Sequence, residues 1–266
     1  MHIVPDTKFF LYPTPHDDKF SAMLSFCEDL DPENPRTINW FFGEQYKGDI
    51  PQNKDDARSY QGTYYGMYNR IKGFVKKQEN SLAIDIGGFT GDTTLPIARL
   101  CGKTLVFEPH PVNYRQLKRN IEANPSFDIG AFECAVADQY GTIKLGYQID
   151  PLGATNGGGI MFPHYTSKIQ AKCINLEHFL SVNYPGKKVS FIKLDTEGLD
   201  VMILDNIKGL IKKDRPVIMA EIFPFYQELL SVLQDIEYEI YSFETGLKVE
   251  PKDIKIEDLI LVPKNP

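Results

Sequence analysis

The stretch Ser81-Leu-Ala-Ile-Asp-Ile-Gly-Gly-Phe-Thr-Gly-Asp-Thr-Thr94 predicts a buried strand, a glycine-rich turn and the first turn of a helix. The largely apolar run Leu82–Ile86 is too short for a helix and suits a strand that is covered on both faces. Gly87, Gly88 and Gly91 allow a tight turn in which a ligand can lie against bare backbone. This order of elements begins the nucleotide-type cofactor site of doubly wound α/β sheets, so the sequence predicts such a site here.

The helix after this turn is predicted over about Thr93–Leu100. We expect Asp92, Thr93 or Thr94 to cap it, because a side-chain oxygen can accept a hydrogen bond from the free N–H groups of a first turn. Pro96 is compatible with that turn, where amide donors have no partner within the helix.

The composition is that of an ordinary globular protein. At 266 residues, with 42% hydrophobic and 24% charged residues, the chain can form one large α/β domain. Its net charge of -7 argues against nucleic-acid binding, which usually requires a basic face. No apolar stretch approaches the roughly 20 residues of a membrane span, and the N-terminus lacks the basic and apolar regions of a signal peptide. We therefore expect no membrane span and a cytoplasmic location.

The cysteines are widely spaced, at Cys27, Cys101, Cys134 and Cys173, and none forms a Cys-x-x-Cys pair. Such spacing is typical of small core residues in a reducing compartment. The five histidines do not cluster either. We therefore expect neither a disulfide framework nor a metal site.

Residues 1–60 differ from the remainder of the chain, because they are rich in aromatic residues and repeatedly interrupted by proline. So many aromatic side chains are rarely left in solvent. This N-terminal extension is therefore predicted to pack on the main domain, to cover the substrate site or to form a homodimer contact. Residues 61–266 are predicted to form the main domain.

Strands and helices alternate through the main domain. After the first strand, apolar runs predict further strands over about Lys103–Pro109, Asp128–Cys134, Thr142–Tyr147, Val189–Asp195, Pro216–Ile222, Glu237–Phe243 and Asp258–Val262. Such alternation gives an α/β fold with a mostly parallel, doubly wound sheet and helices on both faces, here with an antiparallel pair at one edge. Segments 135–141 and 148–170 contain turn-forming residues and are predicted to be loops, the second long and flexible.

Four acidic residues fall at the carboxyl ends of predicted strands, or one step beyond: Asp85, Glu108, Asp195 and Glu221. Ligands of open α/β sheets bind at this edge. Glu108 follows Asp85 by 23 residues, near the spacing at which an acid meets ribose hydroxyls. A carboxylate suits that position because it can accept a hydrogen bond from each hydroxyl of a cis-diol.

The charge of the turn distinguishes between nucleotide cofactors. A dinucleotide site prefers G-x-G-x-x-G and holds its pyrophosphate at the helix N-terminus. Here the first two glycines are adjacent, and Asp92 occupies the position where phosphates would lie. An aspartate repels phosphate, whereas the sulfonium and amino group of S-adenosylmethionine favour acids nearby. Electrostatics therefore favours a methyl donor over NAD.

The chain resembles the FkbM family of S-adenosylmethionine-dependent methyltransferases from about Ser81 to Ile222. Asp85-Ile-Gly-Gly-Phe-Thr-Gly91 resembles that family's D-x-G-A-x-x-G, with Gly88 in place of the common alanine, and Phe107-Glu-Pro-His-Pro111 resembles F-E-P-x-P. Ala135-Val-Ala-Asp138 resembles A-x-x-D, and Ile192-Lys-Leu-Asp-Thr-Glu-Gly198 resembles I-K-x-D-x-E-G. The resemblance implies a Rossmann-like class I methyltransferase sheet and S-adenosylmethionine as the cofactor.

The resemblance also implies roles for single residues. The glycine-rich turn would surround the methionine and ribose of the donor, Glu108 would hold the ribose hydroxyls, and Asp138 would approach the adenine amine. Asp195 and Glu197 would face the methyl group and the acceptor. The implied donor-binding residues are Asp85, Gly87, Gly88, Phe89, Thr90, Gly91, Asp92, Glu108, Pro109, Asn113, Ala135, Val136 and Asp138.

The implied reaction is methylation of a hydroxyl on a sugar, glycan or secondary metabolite, a small-molecule or glycan acceptor. Positioning supplies much of the acceleration of an in-line displacement, but a hydroxyl also has to lose its proton. The candidates for accepting it are Asp195, Glu197, Glu221 and His164. Glu197 could instead cap the helix that follows it.

Other function classes stay open at the level of sequence. An NAD(P)-dependent oxidoreductase is disfavoured by Asp92 and by the glycine spacing. A non-catalytic binding module on the same fold is disfavoured by the intact acids at the strand ends. A nucleic-acid methyltransferase is disfavoured by the acidic balance and by the absence of an Asn-Pro-Pro-Tyr motif.

Overall fold

The computed structural model describes residues 7–10, 23–26, 70–75, 78–149, 155–159, 167–222, 226–251, 254 and 257–264. Most of the predicted extension, residues 1–60, lies outside these ranges, as does His164. Within the extension, two short strands pair antiparallel, β1 (Thr7–Phe10) with β2 (Met23–Phe26). The predicted roles of the extension stay predictions.

The elements of the main domain alternate as the sequence predicts. The strands are β3 (Ser81–Ile86), β4 (Thr104–Phe107), β5 (Ile129–Phe132), β6 (Ala135–Ala137), β7 (Gly141–Ile149), β8 (Thr155–Gly159), β9 (Ser167–Asn175), β10 (Lys188–Leu194), β11 (Val217–Ile222), β12 (Tyr238–Ser242) and β13 (Glu257–Pro263). The helices are α1 (Thr94–Cys101), α2 (Pro111–Glu122), α3 (Leu176–Asn183), α4 (Asp200–Asn206), α5 (Lys208–Asp214) and α6 (Tyr226–Ile236). In the described part of the chain, no helix has the length and apolar character that crossing a membrane requires.

The main sheet, as far as the described residues show it, has seven strands in the order β12-β13-β11-β10-β3-β4-β5. Strands β5, β4, β3, β10 and β11 are parallel, whereas β13 runs antiparallel to both β11 and β12. The predicted doubly wound sheet with an antiparallel pair at one edge is therefore confirmed.

Strand β3 lies in the middle of this sheet and is buried along its whole length. Leu82, Ile84 and Ile86 pack into one hydrophobic core with residues of α4, α5 and α6. Ala83 belongs to a second core, which includes Ile97 of α1. Because alternate side chains of a strand point to opposite faces, the two cores lie on opposite sides of the sheet, as expected for a central parallel strand.

The prediction that segments 135–141 and 148–170 are loops is wrong in part. Both segments contribute strands to a second sheet of order β6-β9-β7-β8. In segment 135–141, β6 pairs parallel with β9, with Ala135 opposite Cys173. In segment 148–170, β8 and the start of β9 both pair with β7. A three-residue run and a glycine-rich run carry no strand period, so the distant partner strand decides their conformation.

The cap of the first helix of the main domain differs from the prediction. No side chain caps α1, because the hydroxyls of Thr93 and Thr94 donate to Asp85 instead. Two short helices, α4 and α5, follow the loop after β10 and are separated at Ile207. Helix α2 begins at Pro111, with His110 as its N-cap.

The cysteines within the described residues, Cys101, Cys134 and Cys173, are free and buried. Their burial agrees with the predicted role as small core residues. Within the same ranges, no group of His, Cys, Asp and Glu side chains has an arrangement that could hold a metal ion.

Candidate active site

A cavity of about 460 Å³ lies at the edge of the main sheet where β3, β4 and β10 end. Parallel strands bring the loops that follow them to the same edge. Many predicted donor-binding residues line it, namely Gly87, Phe89, Asp92, Glu108, Pro109 and Asn113, with Ala135 and Val136 from β6. The predicted catalytic residues Asp195 and Glu197 line it too. The fold thus brings the two predicted halves of the site together.

Gly87 places the glycine-rich turn against the loop that follows β10. Its φ is +83°, and a Cβ atom at this position would lie 1.8 Å from the carbonyl oxygen of Asp195. The N–H of Asp195 donates to the carbonyl of Ile86 at 3.0 Å. Both the positive φ and the close approach exclude a side chain at position 87.

Gly88 faces the sheet instead of the cavity. A Cβ atom there would lie 2.1 Å from Cγ2 of Val106. The alanine that is common in the FkbM family at this position therefore does not fit beside Val106.

We expect Gly88→Ala to lower the free energy of unfolding by about 1–3 kcal/mol, the usual cost of overpacking a core. Urea denaturation measures this loss. In a double-mutant cycle, Gly88→Ala and Val106→Ala should cost less together than the sum of the two separate costs, because Val106→Ala removes the clashing methyl group. Additive costs would show that Val106 is not the obstacle.

Thr90 and Gly91 support the turn from behind the cavity. The carbonyl of Thr90 accepts a hydrogen bond from Nδ2 of the buried Asn120 at 2.7 Å. Gly91 has a φ of +95°, and its N–H donates to the carbonyl of Gly88 at 2.8 Å. These residues shape the turn, and their atoms are not part of the cavity wall.

Asp85 is fully buried beneath the turn. Its Oδ2 accepts hydrogen bonds from Thr94 Oγ1 at 2.7 Å and Thr93 Oγ1 at 3.4 Å, and its Oδ1 lies 3.4 Å from Lys193 Nζ. Burial raises the pKa of Asp85, although Lys193 lowers it. Asp85 therefore anchors the turn and the start of α1, and it does not line the cavity.

Lys193 of β10 is a buried cation that connects the two halves of the site. Its Nζ lies 3.4 Å from Asp85 and 3.2 Å from Asp195, and it donates to the carbonyl of Gly87 at 3.1 Å. Burial alone would lower the pKa of Lys193, but the carboxylates of Asp195, Asp85 and Asp92 outweigh burial and hold the pKa above its ordinary value. The ammonium stays charged and ties the turn to the acidic loop.

Glu108 follows β4 and is held by backbone donors. Its Oε2 accepts from the N–H of Phe89 at 2.9 Å and its Oε1 from the N–H of His110 at 2.8 Å, with Asn113 Nδ2 at 3.5 Å. Burial raises the pKa of Glu108 to about 7, although these donors lower it. A carboxylate has about four acceptor positions, so Glu108 can still accept a hydrogen bond from a ligand.

The smaller sheet provides an apolar wall of the cavity, made by Ala135 and Val136 of β6 and Leu145 of β7. Asp138, which the family resemblance places near the adenine amine, has an exposed side chain outside the cavity wall. Its backbone carbonyl accepts from Asn175 Nδ2 at 2.9 Å. Its predicted contact with adenine stays a prediction.

The loop after β10 presents Asp195, Thr196 and Glu197 to the cavity. Asp200 holds this loop, since its carboxylate accepts from the N–H of Thr196 at 3.2 Å and from the Thr196 hydroxyl at 3.0 Å. Glu197 has a φ of +55°, a conformation that costs a non-glycine residue about 1–2 kcal/mol. No side chain caps α4, so the alternative capping role of Glu197 is not observed.

Glu221 lies near the end of β11 beside two other acids. It follows Ala220, which pairs with Leu194, so it is the neighbour of Asp195 across the two strands, and it lies opposite Asp258 of β13. Burial raises the pKa of Glu221 to about 8, with further contributions from the negative charges of Asp195, Glu197 and Asp258. Near neutral pH, Glu221 is therefore largely protonated beside Asp195.

Several residues of the cavity were not predicted from the sequence, among them His110, Asp258 and the apolar Leu145, Leu199, Met219 and Phe243. A signal for Asp258 exists, because an antiparallel strand begins at the edge where its parallel neighbours end. The apolar residues carry no such signal. His164, the fourth predicted catalytic residue, is outside the described residues.

The comparison with solved structures finds distant similarities. A precorrin-6y C5,15-methyltransferase from Geobacter metallireducens has 13% identity and a TM-score of 0.41, over 76% of this chain and 85% of that chain. A magnesium protoporphyrin IX methyltransferase from Synechocystis, with bound S-adenosylmethionine, has 12% identity and a TM-score of 0.43, over 82% of this chain and 86% of that chain. At these values the similarity indicates neither substrate nor site residues. No curated protein matches the chain.

The comparison with family models gives a more specific result. The model of the methyltransferase FkbM domain matches residues 85–253, from the glycine-rich turn almost to β13. The match includes the four strand-end acids and the whole loop after β10. Because it covers more than half of the chain, the protein belongs to the methyltransferase FkbM domain family, and its cofactor is S-adenosylmethionine.

Proposed function

We propose that this methyltransferase methylates a hydroxyl oxygen of a sugar, glycan or secondary metabolite, with the Asp195–Glu221 pair as the proton acceptor. The observation that carries the proposal is the adjacency of Asp195, which lines the cavity, and Glu221 on the neighbouring strand, whose pKa is raised to about 8 by burial and by the acids around it. A base is most effective when its pKa lies near the operating pH. A neutral hydroxyl needs such a base because it loses its proton as it attacks.

The cavity fits S-adenosylmethionine by its charge. Asp92, Glu108 and Asp195 line it, while Lys193 is already paired with Asp85 and Asp195. A cavity with this excess of carboxylates favours a sulfonium and an ammonium group and disfavours a pyrophosphate. When bound, the cofactor supplies an electrophilic methyl group on sulfur.

The proposal assigns the donor half to the turn and to the end of β4. Gly87 and Phe89 would lie along the donor, and Asp92 would face its ammonium group. Glu108 would hold the ribose hydroxyls, using the acceptor capacity that Phe89, His110 and Asn113 leave free. Ala135 and Val136 would lie against the adenine ring.

The acceptor half is the acidic side of the cavity. Lys193 fixes the carboxylate of Asp195, so this group can orient the acceptor hydroxyl. The Asp195–Glu221 pair would accept the proton of the acceptor hydroxyl as its oxygen takes the methyl group, the carbon–sulfur bond breaks and S-adenosylhomocysteine is left. Residues 61–266 form the catalytic domain in this proposal, and residues 1–60 pack on it, cover the site or contact a second copy.

The pH dependence of kcat/KM tests the base. The pair accepts a proton most readily once Glu221 is ionised, so kcat/KM should rise with pH and level off above about pH 8. Glu221→Gln removes the titrating group and should lower kcat/KM and abolish the inflection near pH 8. The control Glu228→Gln changes an exposed glutamate of α6 and should leave the profile unchanged. An unaltered inflection in Glu221→Gln would assign it to another group.

The chemistry of the product tests the proposed function. The methyl donor is S-adenosylmethionine with a ¹³C-labelled methyl group. The acceptors are a panel of sugars, oligosaccharides and hydroxylated metabolites. For each acceptor, the analogue with an amino group in place of the hydroxyl is tested in parallel. We expect label transfer to hydroxyl compounds, with the carbon chemical shift of an O-methyl group. Transfer to the amino analogues alone would contradict O-methylation.

A further inference from the structure

His110 is a buried histidine at the edge of the cavity that the donor-binding residues above do not include. It is the N-cap residue of α2, is 5% exposed and is one of the residues that line the cavity. The ring of Tyr147 packs edge-on against it, with 4.6 Å between the ring centroids. The orientation of the imidazole is thus fixed by the helix and by β7.

The two ring nitrogens of His110 have different environments. Nδ1 accepts a hydrogen bond from the N–H of Val112 at 3.3 Å, so in the neutral ring Nε2 carries the proton. Nε2 is buried and has no hydrogen-bond partner among the described residues. Burial, together with the charge of Arg115, lowers the pKa of His110 to about 4, so the ring is neutral at physiological pH. A buried donor without a partner is costly unless a ligand satisfies it.

The neighbouring backbone has no other donor for a ligand. Pro109 has no N–H, and the N–H of His110 donates to Glu108 Oε1 at 2.8 Å. The Nε2–H of His110 is therefore an unpaired donor beside this wall that remains for an acceptor atom of a nucleoside. Its neutral state also avoids repulsion with the sulfonium of the donor.

We propose that His110 donates a hydrogen bond from Nε2 to N3 of the adenine ring and so makes the site selective for a purine with that nitrogen. This inference rests on the proposed function, in which Glu108 holds the ribose. N3 is the adenine nitrogen nearest the ribose, and His110 follows Glu108 by two residues. N1 and N7 lie farther from the sugar edge.

Calorimetric titration of the wild-type enzyme tests this contact directly. The probes are S-adenosylhomocysteine and its 3-deaza and 7-deaza analogues, in which a C–H group replaces N3 or N7. We expect the 3-deaza analogue to bind about ten-fold or more weakly than S-adenosylhomocysteine, because it leaves the buried donor unpaired. The 7-deaza analogue should bind like the parent compound.

Two variants locate the discrimination at His110. His110→Phe keeps an aromatic ring beside Tyr147 but has no donor, so it should bind S-adenosylhomocysteine and the 3-deaza analogue equally well. His110→Asn keeps a side-chain oxygen that can cap α2, but its side chain is too short to replace Nε2, and it should also lose the discrimination. Thermal melting of both variants separates a lost cap from a lost ligand contact.

The outcomes are distinct. Three results would overturn the inference and leave the proposed function intact. The wild type could bind the parent and 3-deaza compounds equally well, or it could lose affinity for the 7-deaza compound instead. The weaker binding of the 3-deaza compound could also persist in His110→Phe. Failure of the wild type to bind S-adenosylhomocysteine at all would overturn the proposed function, and the inference with it.

Discussion

A Lys193→Met variant should lose about 3–5 kcal/mol of unfolding free energy, the usual cost of removing one partner of a buried ion pair. Lys193 and Asp85 are almost fully buried, with side-chain exposures of 2% and 0%. Without the ammonium, the Asp85 carboxylate would lie in the core beneath the glycine-rich turn with no cation beside it. Urea denaturation near neutral pH measures the loss.

A second variant identifies the cause of this loss. Lys193→Met combined with Asp85→Asn should recover part of the stability, since the amide oxygen can still accept from Thr94 and the uncompensated charge is gone. Lys103→Met is the matched control, because Lys103 pairs with Asp128 at the surface and should cost less than about 1 kcal/mol. If Lys193→Met cost no more than Lys103→Met, the buried cation would not support the site.

Replacing Asp195 by asparagine should lower kcat by about 10²–10⁴-fold, the range expected for removal of a general base. Asparagine has nearly the same shape as aspartate, and the backbone of this loop is fixed by Ile86 and Gly87. The fold and the affinity for S-adenosylhomocysteine should therefore be retained. Single-turnover transfer measures the chemical step, and calorimetry measures the affinity.

The control for this variant is Asp205→Asn, the same change at an exposed position of α4 that pairs with Lys208. It should leave both the chemical step and the affinity unchanged. Wild-type transfer by Asp195→Asn would remove Asp195 from the mechanism, and a large loss of affinity would show that it acts mainly in donor binding.

The charges of the site explain why Lys193 and Asp195 act together. The charged form of Lys193 is stabilised by the carboxylates of Asp85, Asp92 and Asp195. Lys193 in turn fixes the side chain of Asp195. The donor turn and the acidic loop are therefore linked both by backbone contact at Gly87 and by a shared cation. Loss of the shared Lys193 cation should therefore affect donor binding and catalysis together.

The sequence predicts the framework of the site well, because its signals are local. The run Leu82–Ile86 with its glycines predicts β3 and the turn, and both are confirmed. The position of Glu108 and Asp195 at the cavity follows from their place at strand ends, since parallel strands gather these ends at one edge.

Features that depend on distant contacts could not be predicted in the same way. The strand β6 exists because it pairs with β9, and Asp258 reaches the cavity because β13 lies beside β11. The role of Lys193 depends on acids from two distant parts of the chain, the glycine-rich turn and the loop after β10. The unpaired nitrogen of His110 depends on the cap of α2. Neither leaves a spacing pattern in the sequence.

The most direct test of the account is a crystal structure of the enzyme with S-adenosylhomocysteine. The account predicts that the ribose hydroxyls donate to Glu108 and that the sulfur faces Asp195 and Glu197 across the cavity. A ribose bound away from Glu108, or a sulfur directed away from the loop after β10, would contradict it.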